Sequence, residues 1–133
     1  MTPLVSIITV NYRQAAVTCD LLRSISALNH PALEVIVVDN GALDDQTANF
    51  QQCCPGTIVI TSQENLGFAG GNNLGIQRST ARFLFLVNND TVIGEGLIEK
   101  LLARFATPNT GVVSPKIRYF DMPDTIQYAG FTQ

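Results

Sequence analysis

The sequence predicts an α/β fold: a mostly parallel sheet with helices on both faces, a Rossmann-like arrangement. Three observations carry that reading. Short, nearly unbroken apolar runs recur along the chain, segments of helical periodicity separate them, and no repeat, linker or low-complexity tract interrupts the alternation. Strands covered on both faces read as continuous apolar runs, and a strand–helix alternation is the mark of a parallel sheet.

The elements follow in order. Leu4–Val10 (LVSIITV) is short and β-branched, which suits a strand. Residues 14–28 place Val17, Leu21, Leu22, Ile25 and Leu28 at helical spacing, giving one apolar stripe. Leu33–Val38 is a second strand, Asp44–Gln52 a short helix and Thr57–Thr61 a third strand. A glycine-rich stretch, Gly67–Gly71, precedes a helix expected over Asn73–Ala81, so that Asn72 or Asn73 could cap it and its end would favour an anion. Phe83–Val87 is the fourth strand. Glu95–Phe105 is a fourth helix with Leu97, Leu101 and Leu102 on one face, and Gly111–Ser114 is a candidate fifth strand. After Pro115 the rhythm is lost, and no terminal element is expected.

Composition bounds the function. A chain of 133 residues with 46% apolar and 14% charged side chains is one globular domain with a real core. The net charge of −3 and the lack of any basic run argue against nucleic acid as a partner. Cys19, Cys53 and Cys54 have neither disulfide nor zinc spacing. They read as reduced thiols of a cytoplasmic protein. No apolar run reaches the ~18 residues of a membrane span, and the N-terminus has no basic region leading to a cleavage site.

The polar residues are distributed unevenly. The first strand runs into Asn11-Tyr12-Arg13, the second into Asp39-Asn40-Gly41 and the fourth into Asn88-Asn89-Asp90, while Glu64-Asn65-Leu66-Gly67 follows the third. Asn and Asp also cap ordinary turns. The loops entering the strands, NHPA, CCPG and STAR, are poorer in such groups. Ligands of open parallel sheets bind outside the carboxyl ends of the strands, so a ligand site at that edge is the stronger reading.

Four stretches in order, VSIITVNYR, EVIVVDNGALDDQT, ENLGFAGGNNLGI and FLFLVNNDT, resemble the nucleotide-sugar-binding half of family 2 glycosyltransferases of GT-A fold, particularly bacterial enzymes of surface-polysaccharide synthesis such as rhamnosyltransferases. The resemblance covers residues 4 to about 118 and implies inverting transfer of a sugar from a nucleoside diphosphate, UDP or dTDP, to a saccharide or lipid-linked saccharide acceptor. It places Thr9, Asn11, Tyr12 and Asp39 against base and ribose, Tyr12 offering a flat stacking face and Asp39 an acceptor for a pyrimidine N3–H. It places Asn65, Gly67, Phe68, Gly71 and Asn72 along the donor pocket, although a glycine-rich strand-to-helix crossing needs no ligand. It sets Asn88, Asn89 and Asp90 where the family carries its Asp-x-Asp motif, with Asp90 the ligand of Mg²⁺ or Mn²⁺. Asn88 supplies no charge, so weak metal binding without donor is expected. The general base of the family belongs to a later, acceptor-binding part, so no catalytic base is assigned. His30, Cys53 and Cys54 take no role in the chemistry.

The chain is therefore expected to be one donor-binding domain, 1–133, cut before the acceptor part, with exposed surface that favours self-association. The full-length protein would be cytoplasmic, or peripheral at the inner membrane. Two alternatives stay open: a non-catalytic nucleotide-binding module of the same fold, and a nucleotidyltransferase. The latter is weakened because NYRQAAVT has one Arg and no Gly to hold a triphosphate. A receiver domain is weaker still, since the first strand leads to Asn11-Tyr12 instead of paired acids.

Overall fold

The computed structural model describes residues 2–130. One compact unit ends at Gly94 and a second begins at Glu95. The first contains strands β1 (Val5–Asn11), β2 (Leu33–Asn40), β3 (Ile58–Ser62) and β4 (Phe83–Leu86), with helices α1 (Ala15–Ser26), α2 (Thr47–Cys53) and α3 (Gly67–Arg78). The strands form a four-stranded sheet of order β3-β2-β1-β4, and every neighbouring pair is parallel. All four carboxyl ends therefore share one edge. The central strands β1 and β2 are buried on both faces and the outer two only partly, as expected where helices cover the middle of a parallel sheet.

Strand alternation divides the sheet into two faces. On one, Ile8, Ile36 and Val38 form a core with Val10, Ile58, Ile60 and the α3 residues Leu74 and Ile76. On the other, Asn11 receives the Thr18 hydroxyl of α1 at 2.7 Å. Helix α1 turns Thr18, Cys19, Leu21, Leu22 and Ile25 inward, so Leu21, Leu22 and Ile25 of the predicted stripe are buried, while Thr18 takes the inward place expected of Val17, which is exposed. Burial, followed by the neighbouring Cys53 thiol, pushes the Cys19 thiol up to about 12, which leaves it un-ionised and inert. All three cysteines are free.

Helix α3 corrects the expectation of a start at Asn73, beginning six residues earlier at Gly67. Low propensity suggested a loop, but close packing on the sheet prevails. A methyl carbon on Gly71 would lie 2.9 Å from both Val10 methyls, and one on Gly75 would collide with Ile8 Cγ2. Gly71 and Gly75, four apart on one helix face, let α3 approach β1 and β2. Alanine is worth about 1 kcal/mol over glycine in an open helix. At Gly75 the collision is with a fully buried Ile8, and overpacking of that kind costs about 1–3 kcal/mol. Gly75→Ala is accordingly expected to lower the urea midpoint; a rise would mean that α3 can lift off the sheet without loss.

Helix α2 starts later than predicted because the Asp45 carboxylate accepts the Thr47 amide at 2.9 Å and turns the chain there. At the amino-terminal edge of the sheet, Glu34 accepts hydrogen bonds from the Ser6 hydroxyl and, at 3.0 Å, from the Thr80 amide and hydroxyl. Ser79 lies 2.6 Å from Ser6. Desolvation raises the Glu34 pKa, but these bonds outweigh it and the net direction is down. The polar groups of this edge satisfy one another and tie β1, β2 and the start of β4 together.

In the second unit, α4 (Leu97–Arg104) begins after Gly96. The expected strand at Gly111–Ser114 is not formed: Val112 is exposed, and Pro115 just beyond has no amide to continue a ladder. Instead β5 (Ile117–Arg118) pairs antiparallel with β6 (Ile126–Tyr128). Their connection is closed by Thr125 N–H donating to Met122 O at 2.8 Å and Tyr119 N–H to Thr125 O at 3.1 Å. The tail thus does hold an element, a short hairpin obscured in the sequence by Pro123 in its connection and Pro115 just before it.

Candidate functional site

The loops at the shared carboxyl edge enclose a cleft of about 620 Å³. From β1 and its exit come Val10, Tyr12 and Gln14, and from β2 comes Asn40. The connection into α3 supplies Asn65, Gly67 and Phe68, and the turn after β4 supplies Asn88, Asn89 and Asp90. Among the described residues the lining holds five amide side chains and one carboxylate, and no cation.

Asn40 builds the wall between β2 and α3. Although it is 2% exposed, its Nδ2 donates to Asn65 Oδ1 at 2.9 Å and to Gly67 O at 3.3 Å, and its Oδ1 accepts from Leu66 N–H at 2.8 Å. Asn65 in turn accepts from Gly67 N–H at 3.0 Å. The N-terminus of α3 therefore opens on the cleft at Gly67 and Phe68, not at Asn72 or Asn73, and the amides of Leu66 and Gly67 are taken by asparagine side chains. Phe68 projects its ring, 67% exposed, at the rim.

Tyr12 is set by its neighbours. Gly41 has φ +65°, and a side chain there would lie 2.9 Å from Tyr12 Cε2. Only glycine combines that backbone with that contact. The Arg13 guanidinium lies 5.2 Å from the Tyr12 ring centroid, and its Nε donates to Gly41 O at 3.3 Å.

Thr9, Asn11 and Asp39 do not line the cleft but lie buried behind it, on the α1 face. Asp39 Oδ1 accepts from Asn11 Nδ2 at 2.7 Å. Asp39 Oδ2 and Thr9 Oγ1 are buried without a hydrogen-bond partner. Desolvation pushes the Asp39 carboxyl up against the opposing bond from Asn11, with Asp44 and Asp45 adding to the rise. Gly71 and Asn72 lie beneath the cleft: Gly71 rests on Val10, and Asn72 donates to Phe68 O at 3.0 Å within the helix.

The structure thus gathers Tyr12, Asn65, Gly67, Phe68 and the Asn88-Asn89-Asp90 turn around one space and adds two residues that received no role from the sequence, Gln14 and Asn40; a third, Thr18, is buried behind it and accepts from Asn89 at 3.1 Å. Asn40 could have been found from strand alternation. Asp39 and Asn40 are consecutive in β2 and must face opposite sides, so the pair serves two sites. Among the described residues no three His, Cys, Asp or Glu side chains come together as a metal-holding group, and no helix is long and apolar enough to cross a membrane.

Residues 6–130 match the family model for glycosyl transferase family 2. The chain is 30% identical over 118 residues to the low-salt glycan biosynthesis hexosyltransferase Agl10 of Haloferax volcanii, covering 84% of this chain and 36% of the relative. Its fold matches S. aureus TarS 1–349 in complex with UDP-GlcNAc at a TM-score of 0.67 and 20% identity, covering 84% of this chain and 37% of that one. It also matches the mannosyltransferase PcManGT of Pyrobaculum calidifontis, in complex with GDP-Man and Mn²⁺, at 0.61 and 24%, covering 69% and 29%. The chain spans well under half the length of the curated relatives it matches.

Proposed function

The chain belongs to glycosyl transferase family 2, and from that premise we propose that its cleft holds the nucleoside diphosphate of a UDP- or dTDP-sugar for inverting transfer to a surface-polysaccharide acceptor. The observation that carries the reading is the convergence of Tyr12, Asn65, Phe68 and the turn at Asp90 on one cleft at the carboxyl edge of the sheet. Fold neighbours bound to UDP-GlcNAc and to GDP-Man with Mn²⁺ support it.

Each residue has a physical task in this reading. Tyr12 stacks on the base. Asp39 and Thr9 lie behind the cleft with Oδ2 and Oγ1 unpartnered, so in this reading the exit of β1 must shift on binding before the orphaned carboxylate oxygen can accept a pyrimidine N3–H. The amides of Asn65 and Asn88 hydrogen-bond ribose or sugar hydroxyls. The lining holds no Lys or Arg, so a diphosphate there needs its charge offset by a cation. Asp90 and the amide oxygens flanking it are hard oxygen donors, and one carboxylate completed by phosphate oxygens and water suffices for Mg²⁺ or Mn²⁺. Such a cation supplies Lewis-acid stabilisation of the departing diphosphate. Asp90 is the one carboxylate of the lining and is committed to that cation, so the general base for the acceptor hydroxyl lies outside the cleft. Asn88, neutral where the family carries an acid, favours a second reading, a module that binds nucleotide without turnover. Hydrolysis of a sugar donor separates the two.

Calorimetry of the chain with UDP and dTDP, with and without Mn²⁺, tests the proposal. Binding strengthened by Mn²⁺ is expected. A folded chain that binds neither nucleotide would remove the donor site.

Acidification provides an independent check. The Asp39 pKa is raised above 3.8 in the folded state, so the folded chain holds that proton more tightly than the unfolded one. Its effect on stability is favourable at low pH and is lost as pH rises from 3.8 through the folded value. Nucleotide affinity should move oppositely, falling as the carboxylate that accepts the base is protonated. The stability difference between wild type and Asp39→Asn is expected to vary across this window, with the wild type gaining relative stability as pH falls; a difference independent of pH would show that Asp39 does not titrate abnormally.

A further inference from the structure

We propose that Thr18 is a positioning residue whose hydroxyl fixes Asn89 and Asn11 together, and so couples the turn carrying Asp90 to the carboxylate of Asp39. This rests on the donor-site reading and extends it to a residue on α1 that touches neither nucleotide nor cation.

Three hydrogen bonds carry the inference. Asn89 Nδ2 donates to Thr18 Oγ1 at 3.1 Å, Thr18 Oγ1 donates to Asn11 Oδ1 at 2.7 Å, and Asn11 Nδ2 donates to Asp39 Oδ1 at 2.7 Å. The Gln14 amide adds a 3.3 Å bond to the same Asn11 oxygen. Thr18 is fully buried, and Asn11 and Asp39 nearly so. The four side chains come from the β4 turn, α1, β1 and β2, and they run from the cleft wall to the buried carboxyl.

The sense of the chain is dictated by its last member. An ionised carboxylate only accepts hydrogen bonds, so Asn11 must present its NH₂ to Asp39 and its oxygen to Thr18. Thr18 then spends its one proton on Asn11 and can only accept from Asn89. Asn89 must therefore turn its NH₂ toward Thr18, leaving Oδ1 as the acceptor it can offer in the cleft. An amide free to flip could instead present its NH₂ there, and a donor repels a cation. A single buried hydroxyl thus selects the face that Asn89 shows beside Asp90, and satisfied chains of this kind polarise each member. In the sequence Thr18 is hidden, because a polar residue between Val17 and Leu21 reads as the solvent side of a helix.

The test compares Thr18→Val, which keeps the shape and removes the hydroxyl, with Thr18→Ser, which keeps the hydroxyl. In the free protein, the side-chain amide NMR signals of both Asn11 and Asn89 should move in Thr18→Val and stay near wild type in Thr18→Ser. By calorimetry, Thr18→Val should weaken UDP binding by about tenfold and shrink the ratio of UDP affinities measured with and without Mn²⁺; Thr18→Ser should restore both. A purely structural Thr18 would lower thermal stability in Thr18→Val while leaving the Mn²⁺ ratio at the wild-type value, and that result overturns the proposal. If wild type binds no UDP although both amide signals respond, the donor-site reading fails while the hold of Thr18 on Asn11 and Asn89 stands; if neither signal responds, the coupling is overturned. If wild type binds UDP and Thr18→Val matches it, the coupling alone fails.

Discussion

Asp90→Ala is expected to abolish the Mn²⁺-dependent part of nucleotide binding while leaving the fold intact. Asp90 is exposed on a turn and is the sole carboxylate in the cleft lining. Substitutions that merely disturb the support of a metal ligand cost about 10–100-fold in affinity. Losing the ligand itself should therefore cost at least about 100-fold in metal-supported nucleotide affinity. Stability should stay within about 0.5 kcal/mol, as for other surface positions. Calorimetry of the variant with UDP and Mn²⁺ checks the first claim and urea unfolding the second. Retained Mn²⁺ dependence would move the cation elsewhere and leave Asp90 a turn residue.

Asn40→Ala should cost both stability and affinity. Three hydrogen bonds from one buried amide hold the segment from Asn65 to Gly67 against β2. Removing a buried partner costs about 1–3 kcal/mol, and the Leu66 N–H that loses its acceptor is only part-buried. About 2 kcal/mol of stability is therefore expected to go. The cleft wall should loosen with it, weakening UDP binding by roughly tenfold, since the side chains on that wall must be re-ordered on binding. A stability loss with unchanged affinity would make Asn40 a scaffold residue only.

The parallel sheet was legible because β1 and β2 are buried on both faces and leave nearly unbroken apolar runs, Leu4–Val10 and Leu33–Val38, that no helical period fits. The chain's edges were less so. β4 is held on one side only, and it ends at Leu86, one residue earlier than its apolar run. The first two turns of α3 were hidden because Gly67, Gly70 and Gly71 are poor helix formers; what recovers the helix is contact with Val10 and Ile8, which no local pattern encodes. Most of the cleft lining was legible in the same sense. Tyr12, Asn65 and Asp90 follow strands, and their place at the carboxyl edge comes from topology alone. Thr18 and Asn40 act through hydrogen bonds to residues 71 and 25 positions away, and such pairings exist only once the fold brings them together.

The alternation at the end of β2 bears on how the proposed donor site can diversify. Asp39 serves the α1 face and its neighbour Asn40 the α3 face, so the dipeptide is locked to two separate networks, and a one-residue slip would exchange them. Tyr12 and Phe68 are exposed on a loop and a first helical turn, where substitutions disturb less of the scaffold. A library aimed at new nucleotide or sugar preference should vary Tyr12 and Phe68 and keep Asp39-Asn40 fixed together with Asn65, which Asn40 holds at 2.9 Å. The sheet thereby separates the part of the site that can be rewritten from the part that holds it in place.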